Sequence, residues 1–333
     1  MAERRALAPP RLPATLVAQT VSQLGSQVSQ LALPLAAILV LDASAFEVAL
    51  LGTVEFLPFL LFALPAGVWV DRLPRKPILV LGDLGRAAAL ASVPLAYAFD
   101  ALTIWQLYAV GFVVGVCTVF FDVAYQSYLP SLVERSQLVD GNSKFEVSRS
   151  GAALAAPGLA GVLIGAVTAP YAILLDAVSF VGSAGLIVRI RRPEVVPEPT
   201  TQPSMRRELV EGLRYLLGHR FWRPLALTVA LSNFFNTLAF SIFLVYAVRD
   251  LNLSATVIGL VLGIGNVGWL LGAVAANRLS ARFGVGLTLV GSAMVFGPAL
   301  LLVPAASQSQ PIPFLVVALI LASFAGIVFN VPG

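Results

Sequence analysis

Hydrophobic residues in this chain fall in long runs rather than in the alternation of half-buried strands. Ten stretches, each roughly 20 residues or longer with few charges, have the length an α-helix needs to cross a bilayer. They are 14–41, 45–70, 78–99, 103–128, 143–167, 171–190, 224–248, 256–277, 285–305 and 312–333, taken as spans 1 to 10. The breaks carry turn chemistry or charge: Asp42-Ala43-Ser44, Asp71 to Pro77, Asp100, Pro130 to Asn142, Ala169-Pro170, Arg249 to Ser254, Arg278 to Gly284 and Ser307 to Pro311. Prolines inside spans, such as Pro34, Pro58, Pro65, Pro94 and Pro157, are compatible with membrane helices, because neighbouring helices satisfy the freed carbonyls. The run from Leu12 to Leu41 is too long for the apolar core of a signal peptide and shows no small-residue cleavage site. It is expected to stay as the first span, behind a basic lead.

One long polar stretch interrupts the spans. Residues 191–222 open with Arg191-Arg192-Pro193, run through Pro197, Pro199 and Pro203, and end in an amphipathic segment from Met205 to Leu217 with Leu209, Leu213, Leu216 and Leu217 on one face. The expected organisation is a six-helix bundle over 1–190, a linker over 191–222, and four further helices over 223–333. Span 2 ends in Gly67-x-x-x-Asp71-Arg72-x-x-Arg75 and span 8 in Gly272-x-x-x-x-Asn277-Arg278-x-x-x-Arg282, a loose echo between two related halves. A six-plus-six plan follows, with its last two spans absent from the sequence.

Composition narrows the class further. The chain is 58% hydrophobic and only 11% charged, with a mean hydropathy of +0.90. Soluble domains carry about a quarter charged residues, so a water-soluble enzyme and a disordered chain are both excluded. A single cysteine, Cys117, excludes a disulfide scaffold. A single histidine, His219, leaves no basis for a His-rich metal site or a Ser-His-Asp triad. No Gly-Lys-Ser/Thr phosphate loop is present, which excludes an intrinsic ATPase; Gly263-x-Gly265 follows no strand and is no dinucleotide fingerprint. No cofactor, no metal and no enzyme activity is expected.

The net charge of +4 reflects sidedness. Arg4, Arg5 and Arg11, then Arg72, Arg75 and Lys76, then Arg135 and Lys144, fall in alternate connections. The central stretch adds Arg189, Arg191, Arg192, Arg206, Arg207, Arg214, Arg220 and Arg223, and the next such turn adds Arg278 and Arg282. Eighteen of the 21 basic residues thus lie on one side, while Arg86 and Arg149 lie within spans and Arg249 alone lies opposite. Basic loops stay cytoplasmic, so the expectation is a multi-pass cell-membrane protein with a cytoplasmic N-terminus. The charge forms no separate soluble domain, which argues against nucleic acid as a partner.

Charges within spans are candidates for function because an unpaired charge in lipid costs several kcal/mol or more. Glu55 lies near mid-depth in span 2 with no cationic residue within a turn. It is a proton-coupling candidate or a protonated structural residue, and Asp176 in span 6 is a second candidate. Asp83 and Arg86 share a helix face, as do Glu146 and Arg149, and both read as local pairs. Polar stripes run along span 1 (Gln19, Gln23, Ser26 or Gln27, Gln30) and span 7 (Ser232, Asn233, Asn236, Ser241). They line a shared wet cavity or hydrogen-bond helices together. Gln23, Gln27, Asn233 and Asn236 are the cavity candidates, with Tyr125 as an apolar contact for a bulky cargo.

Gly67-Val68-Trp69-Val70-Asp71-Arg72-Leu73-Pro74-Arg75-Lys76 resembles the signature loop between helices 2 and 3 of the major facilitator superfamily, with Leu73-Pro74 departing from its usual glycine. Ala152-x-x-x-Ala156-Pro157-x-x-Ala160-Gly161 resembles the antiporter motif of helix 5, with alanines at three of its glycines. Phe120 to Pro130, Asn142 to Ser150 and Gly326-x-x-x-Asn330 are similar to the bacterial branch that contains the enterobactin exporter and the macrolide efflux proteins. The resemblance covers the chain and implies an all-α two-bundle membrane fold of twelve helices, ten of them present. It implies gate residues Gly67, Asp71, Arg72, Arg75, Lys76 and Asp122, with Asp71, Arg75 and Asp122 as an ion-paired latch; topology alone also accounts for the loop charges. It implies that Ala156, Pro157 and Gly161 let helix 5 bend and slide. The expected activity is export of a small amphiphilic compound by a monomer in a lipid bilayer, through alternating access in exchange for protons. A nutrient symporter and a truncated, non-transporting membrane protein are the alternatives.

Overall fold

The computed structural model describes residues 12–132, 151, 155–189, 205–220, 222–306 and 310–330. The helices are α1 (Leu12–Leu39), α2 (Ala45–Arg72), α3 (Arg75–Ala98), α4 (Ile104–Leu132), α5 (Ala155–Val167) and α6 (Ala169–Val188). They continue as α7 (Met205–Gly218), α8 (Trp222–Arg249), α9 (Ala255–Gly265), α10 (Val267–Phe283), α11 (Val285–Leu301) and α12 (Pro311–Asn330). Among the described residues there is no strand.

Seven stretches are long and apolar enough to cross a membrane, with α9 and α10 together forming one of them. Gly25–Leu39 of α1, α5 and α11 are shorter apolar helices. The ten expected spans are therefore reached only by counting these three. The early part of span 5, with Glu146 and Arg149, lies outside the described residues. Span 8 is broken at Asn266, between α9 and α10. The break is lined by Gly265 and Gly268, where α12 comes close: a Cβ on Gly265 would lie 2.6 Å from Leu319 Cβ, and one on Gly268 would strike the Ile320 backbone.

The short turns follow from local chemistry. Ser44 and Glu47 form a capping box, with Ser44 N–H donating to Glu47 Oε2 at 2.7 Å and Glu47 N–H donating to Ser44 Oγ at 3.3 Å. Ser254 likewise caps Val257. Asp42, Asp100 and Asn252 take positive φ, which short Asx side chains tolerate. The α1–α2 and α8–α9 turns are near copies: Ala43 N–H donates to Ala37 O and Leu253 N–H to Ala247 O, both at 2.9 Å.

α1, α2, α3, α4 and α6 pack on one another, α9, α10, α11 and α12 form a second group, and α8 lies against α2 and α1. Large apolar side chains face outward, Leu60 at 74% and Met294 at 73% exposure among them. In water such surfaces aggregate; in a bilayer, lipid covers them. The chain is a multi-pass membrane protein.

Candidate functional site

The two helix groups meet at one end. The α1–α2, α3–α4, α5–α6 and α8–α9 turns share this short-turn end, while the α2–α3 and α10–α11 turns lie at the other, the motif end. One continuous core fills the short-turn end and draws on both groups: Leu35 and Ile38 of α1, Ile164 of α5, Leu244 of α8, Ile258 of α9 and Leu315 of α12. The second core cluster, at the motif end, holds Val70, Leu79, Phe121, Ala124, Tyr128 and Ile187, all from α2, α3, α4 and α6.

Close backbone approach holds the short-turn end. A Cβ on Gly161 would lie 2.7 Å from Gly259 Cα, and one on Gly259 would lie 2.6 Å from Gly161 Cα. Thr256 Oγ1 donates to Gly161 O at 3.3 Å across the same crossing. Gly52 of α2 faces Thr237 of α8, where a Cβ would lie 2.8 Å from Thr237 Cγ2. Arg249 donates to Asp42 Oδ1 at 2.6 Å and to Ala43 O at 2.9 Å. Tyr246 OH donates to Ala306 O at 3.0 Å. Of the helix 5 motif residues, Gly161 is therefore at the crossing, Ala156 is buried and Pro157 is half-buried.

At the motif end Gly67 has open space around its Cα. Arg72 and Asp122 are exposed, Arg75 is half-buried, and each has an interaction partner. The Asp71 side chain lies outside the described residues, and with it the proposed Asp71–Arg75–Asp122 latch. Lys76 Nζ donates to Val188 O at 2.9 Å, so the loop lysine anchors α3 to the last carbonyls of α6.

α8 changes character along its length. Described residues from Trp222 to Asn236 are mostly exposed, Asn233 and Asn236 included, whereas Phe243 to Val245 and Ala247 are buried. The helix is packed at the short-turn end and open at the motif end. Gln27 on α1 is half-buried, and the Gln23 side chain lies outside the described residues. Tyr125 is half-buried and stacks on Phe121 at 6.0 Å between centroids.

Glu55 packs on α4. A Cβ on Gly111 would lie 2.8 Å from Glu55 Cγ, and one on Gly115 would lie 2.6 Å from Glu55 O, so Gly111-x-x-x-Gly115 forms a notch for this residue. Glu55 Oε1 is buried with no hydrogen-bond partner among the described residues.

A second carboxylate group lies among α1, α3 and α6. Arg86 pairs with Asp83 at 2.5 Å. The Arg86 guanidinium lies over the rings of Phe121 and Phe180, 4.2 Å from each centroid. Asp176, 1% exposed, accepts from Ser179 Oγ at 3.2 Å and belongs to the same buried set. Sequence spacing shows the Asp83–Arg86 pair; that Asp176 joins it depends on how α3 and α6 pack.

The major facilitator superfamily model matches residues 15–333. The chain belongs to the major facilitator superfamily. It is 27% identical over 176 residues to macrolide efflux protein A of Enterococcus faecalis, covering 53% of this chain and 54% of that protein. It is 25% identical over 305 residues to the multidrug efflux pump Tap of Mycolicibacterium fortuitum, covering 87% and 71%. The chain thus spans about half the length of the macrolide efflux proteins it matches. Among solved structures, a bacterial homologue of the iron transporter ferroportin in its inward-facing state superposes with a TM-score of 0.73 at 18% identity, over 98% of this chain and 83% of that one. The outward-facing state superposes at 0.56 and 20% identity, over 96% and 82%. These major facilitator relatives are transporters, and the likeness to the solved structures establishes the fold.

Proposed function

We propose that this major facilitator protein is a secondary active exporter. It moves a small amphiphilic compound out of the cell by alternating access, in exchange for protons and as a monomer. The observation that carries this reading is the asymmetry of the seam, which has a continuous core from both helix groups at the short-turn end and no such shared core among the described residues at the motif end. That is the arrangement of a two-bundle transporter closed on one side, with its cargo path reached from the other.

The motif end carries Arg72, Arg75, Lys76, Arg278 and Arg282, so the positive-inside rule assigns it to the cytoplasm, together with the N-terminus, in the cell membrane. The exposed length of α8, with Asn233 and Asn236, and Gln27 of α1 then supply polar contacts to cargo entering from the cytoplasm. Tyr125 adds an aromatic face. Gly161 at the α5–α9 crossing is the point about which the groups rock, because two glycines meeting backbone to backbone slide without side-chain interdigitation. Macrolides are the first cargo class to try, on the strength of the efflux-named relatives. Glu55, buried in its glycine notch, is a candidate proton carrier.

Proteoliposomes with an imposed pH gradient and a radiolabelled macrolide test the reading. Gradient-dependent accumulation that collapses with a protonophore is expected. Accumulation indifferent to the gradient overturns proton exchange, and no macrolide movement in either direction overturns this cargo class.

A further inference from the structure

We propose that Asp83, Arg86 and Asp176 form a proton-binding site inside the first helix group, with the proton held on the Asp176 carboxyl. The argument begins with a charge count. Two carboxylates and one guanidinium are buried together, Asp83 at 0%, Asp176 at 1% and Arg86 at 5% exposure. Arg86 is committed to Asp83 by the 2.5 Å contact and clamped between Phe121 and Phe180, so it cannot swing to serve both acids equally. With both acids ionised the cluster carries one uncompensated negative charge in a low-dielectric interior, a state that costs several kcal/mol or more. One bound cation removes that cost.

The packing selects a proton over a metal ion. A Cβ on Gly25 of α1 would lie 2.5 Å from Asp176 Oδ1 and 2.6 Å from Ser179 Oγ. The carboxyl group therefore abuts the α1 backbone, and among the described residues no group of three or more His, Cys, Asp or Glu side chains is placed to hold a metal ion. Ser29, 5% exposed, lies against Asp176 from α1, where its hydroxyl can donate a hydrogen bond to the ionised carboxylate and accept one from the protonated acid. Asp83 Oδ2 is buried with no hydrogen-bond partner among the described residues. Around the cluster, among the described residues, the Cys117 thiol of α4 is a further titratable group; α1 contributes Ser29 and the Gly25 backbone, and α6 contributes Ser179 and Ser183.

The site spans three helices that must keep their packing if the first group moves as a body. Asp176 lies seven residues from the start of α6, about 10 Å from the short-turn end. Asp83 lies eight residues from the start of α3, about 12 Å from the motif end. The cluster thus bridges the two ends at mid-depth, as a proton relay requires. Its link to transport rests on the exporter reading; proton binding does not.

Infrared pH titration of the purified full chain reads the site directly through the carbonyl stretch of a protonated carboxylic acid. Wild type should show a titrating carbonyl component that survives in Glu55→Gln and is missing in Asp176→Asn, where only a component lost in Glu55→Gln remains. It should disappear in Asp83→Asn too, since one remaining carboxylate then matches the one guanidinium. Asp176→Glu, which keeps the acid and serves if the asparagine variant folds poorly, should shift the band without abolishing it. A band unchanged in Asp176→Asn, or lost only in Glu55→Gln, overturns the proposal. In proteoliposomes Asp176→Asn should retain macrolide counterflow and lose accumulation driven by the pH gradient; retained gradient-driven accumulation overturns the coupling role. A wild type that moves no macrolide overturns the cargo reading alone, since the spectral band is read without any cargo.

Discussion

Arg249 at the end of α8 reaches across to Asp42 in the turn between α1 and α2, with 2.6 Å between Nη2 and Oδ1. The same nitrogen donates to Ala43 O at 2.9 Å, so one side chain ties the end of α8 to the α1–α2 turn at the short-turn end. Arg249 is also the one arginine that the sidedness pattern leaves opposite all the loop cations. Its position has a structural reason: it links the end of α8 to the α1–α2 turn across the seam.

If this contact helps hold the short-turn end shut, weakening it should favour opening there. Asp42 is almost fully exposed, so solvent screens the pair and the effect is modest. Asp42→Asn should raise the labelling rate of a cysteine placed at Leu251, buried in the closed seam, by a few-fold. Arg249→Gln should raise the rate to a similar extent, since it removes the same contact from the other side.

The Gly161–Gly259 crossing should tolerate no side chain. Each Cβ would meet backbone at under 3.0 Å, and backbone cannot step aside as a flexible side chain does. Gly161→Ala should cost about 1–3 kcal/mol of the closed arrangement, the usual scale for overpacking. Gly182→Ala, with nothing within 4 Å, should be silent. Thermal unfolding in detergent compares the two.

Gly115 is expected to be as demanding within the first group. A Cβ there would lie 2.6 Å from Glu55 O and 2.8 Å from Pro58 Cγ, so Gly115→Ala should force α2 and α4 apart and lower the unfolding temperature. Glu55→Gln keeps the volume in the notch and should unfold close to wild type. An equal loss in both variants would show that the charge of Glu55, rather than the fit of α2 on α4, supports that interface.

The orientation expected from the basic residues can be tested without any cargo. A cysteine at Asp100, in the α3–α4 turn, should react with an impermeant maleimide on intact cells. One at Arg214, on α7, should react only after the membrane is opened. The reverse pattern would invert every statement about sidedness.

Much of the fold was legible in the chain. Long apolar runs became helices because a bilayer interior leaves backbone groups no partner but one another. The breaks at Asp42-Ala43-Ser44 and before Ala255 are written in capping serines and in Asx residues that accept positive φ. The signature loop and the proline motif of span 5 likewise pointed to the superfamily from the sequence. Less legible was the interruption of span 8 at Asn266, because glycines there read as close packing and the helix break depends on how α12 comes in against them. The near-identity of the α1–α2 and α8–α9 turns is likewise not visible in the sequence echo, which lies at the opposite end of the spans.

The chain by itself determined which segments are apolar enough to enter lipid, in which connections its arginines fall and which superfamily motifs it carries, because transfer of side chains into a bilayer is local and residue by residue. Tertiary structure alone decided which charges become neighbours. Asp176 lies 90 positions beyond Arg86 and on another helix, and Arg249 lies 207 positions beyond Asp42. No spacing rule connects such pairs. Only the packing of α1, α3 and α6, and the joining of two helix groups at one end, brings them together, because buried electrostatics depends on distance in space and not on separation along the chain.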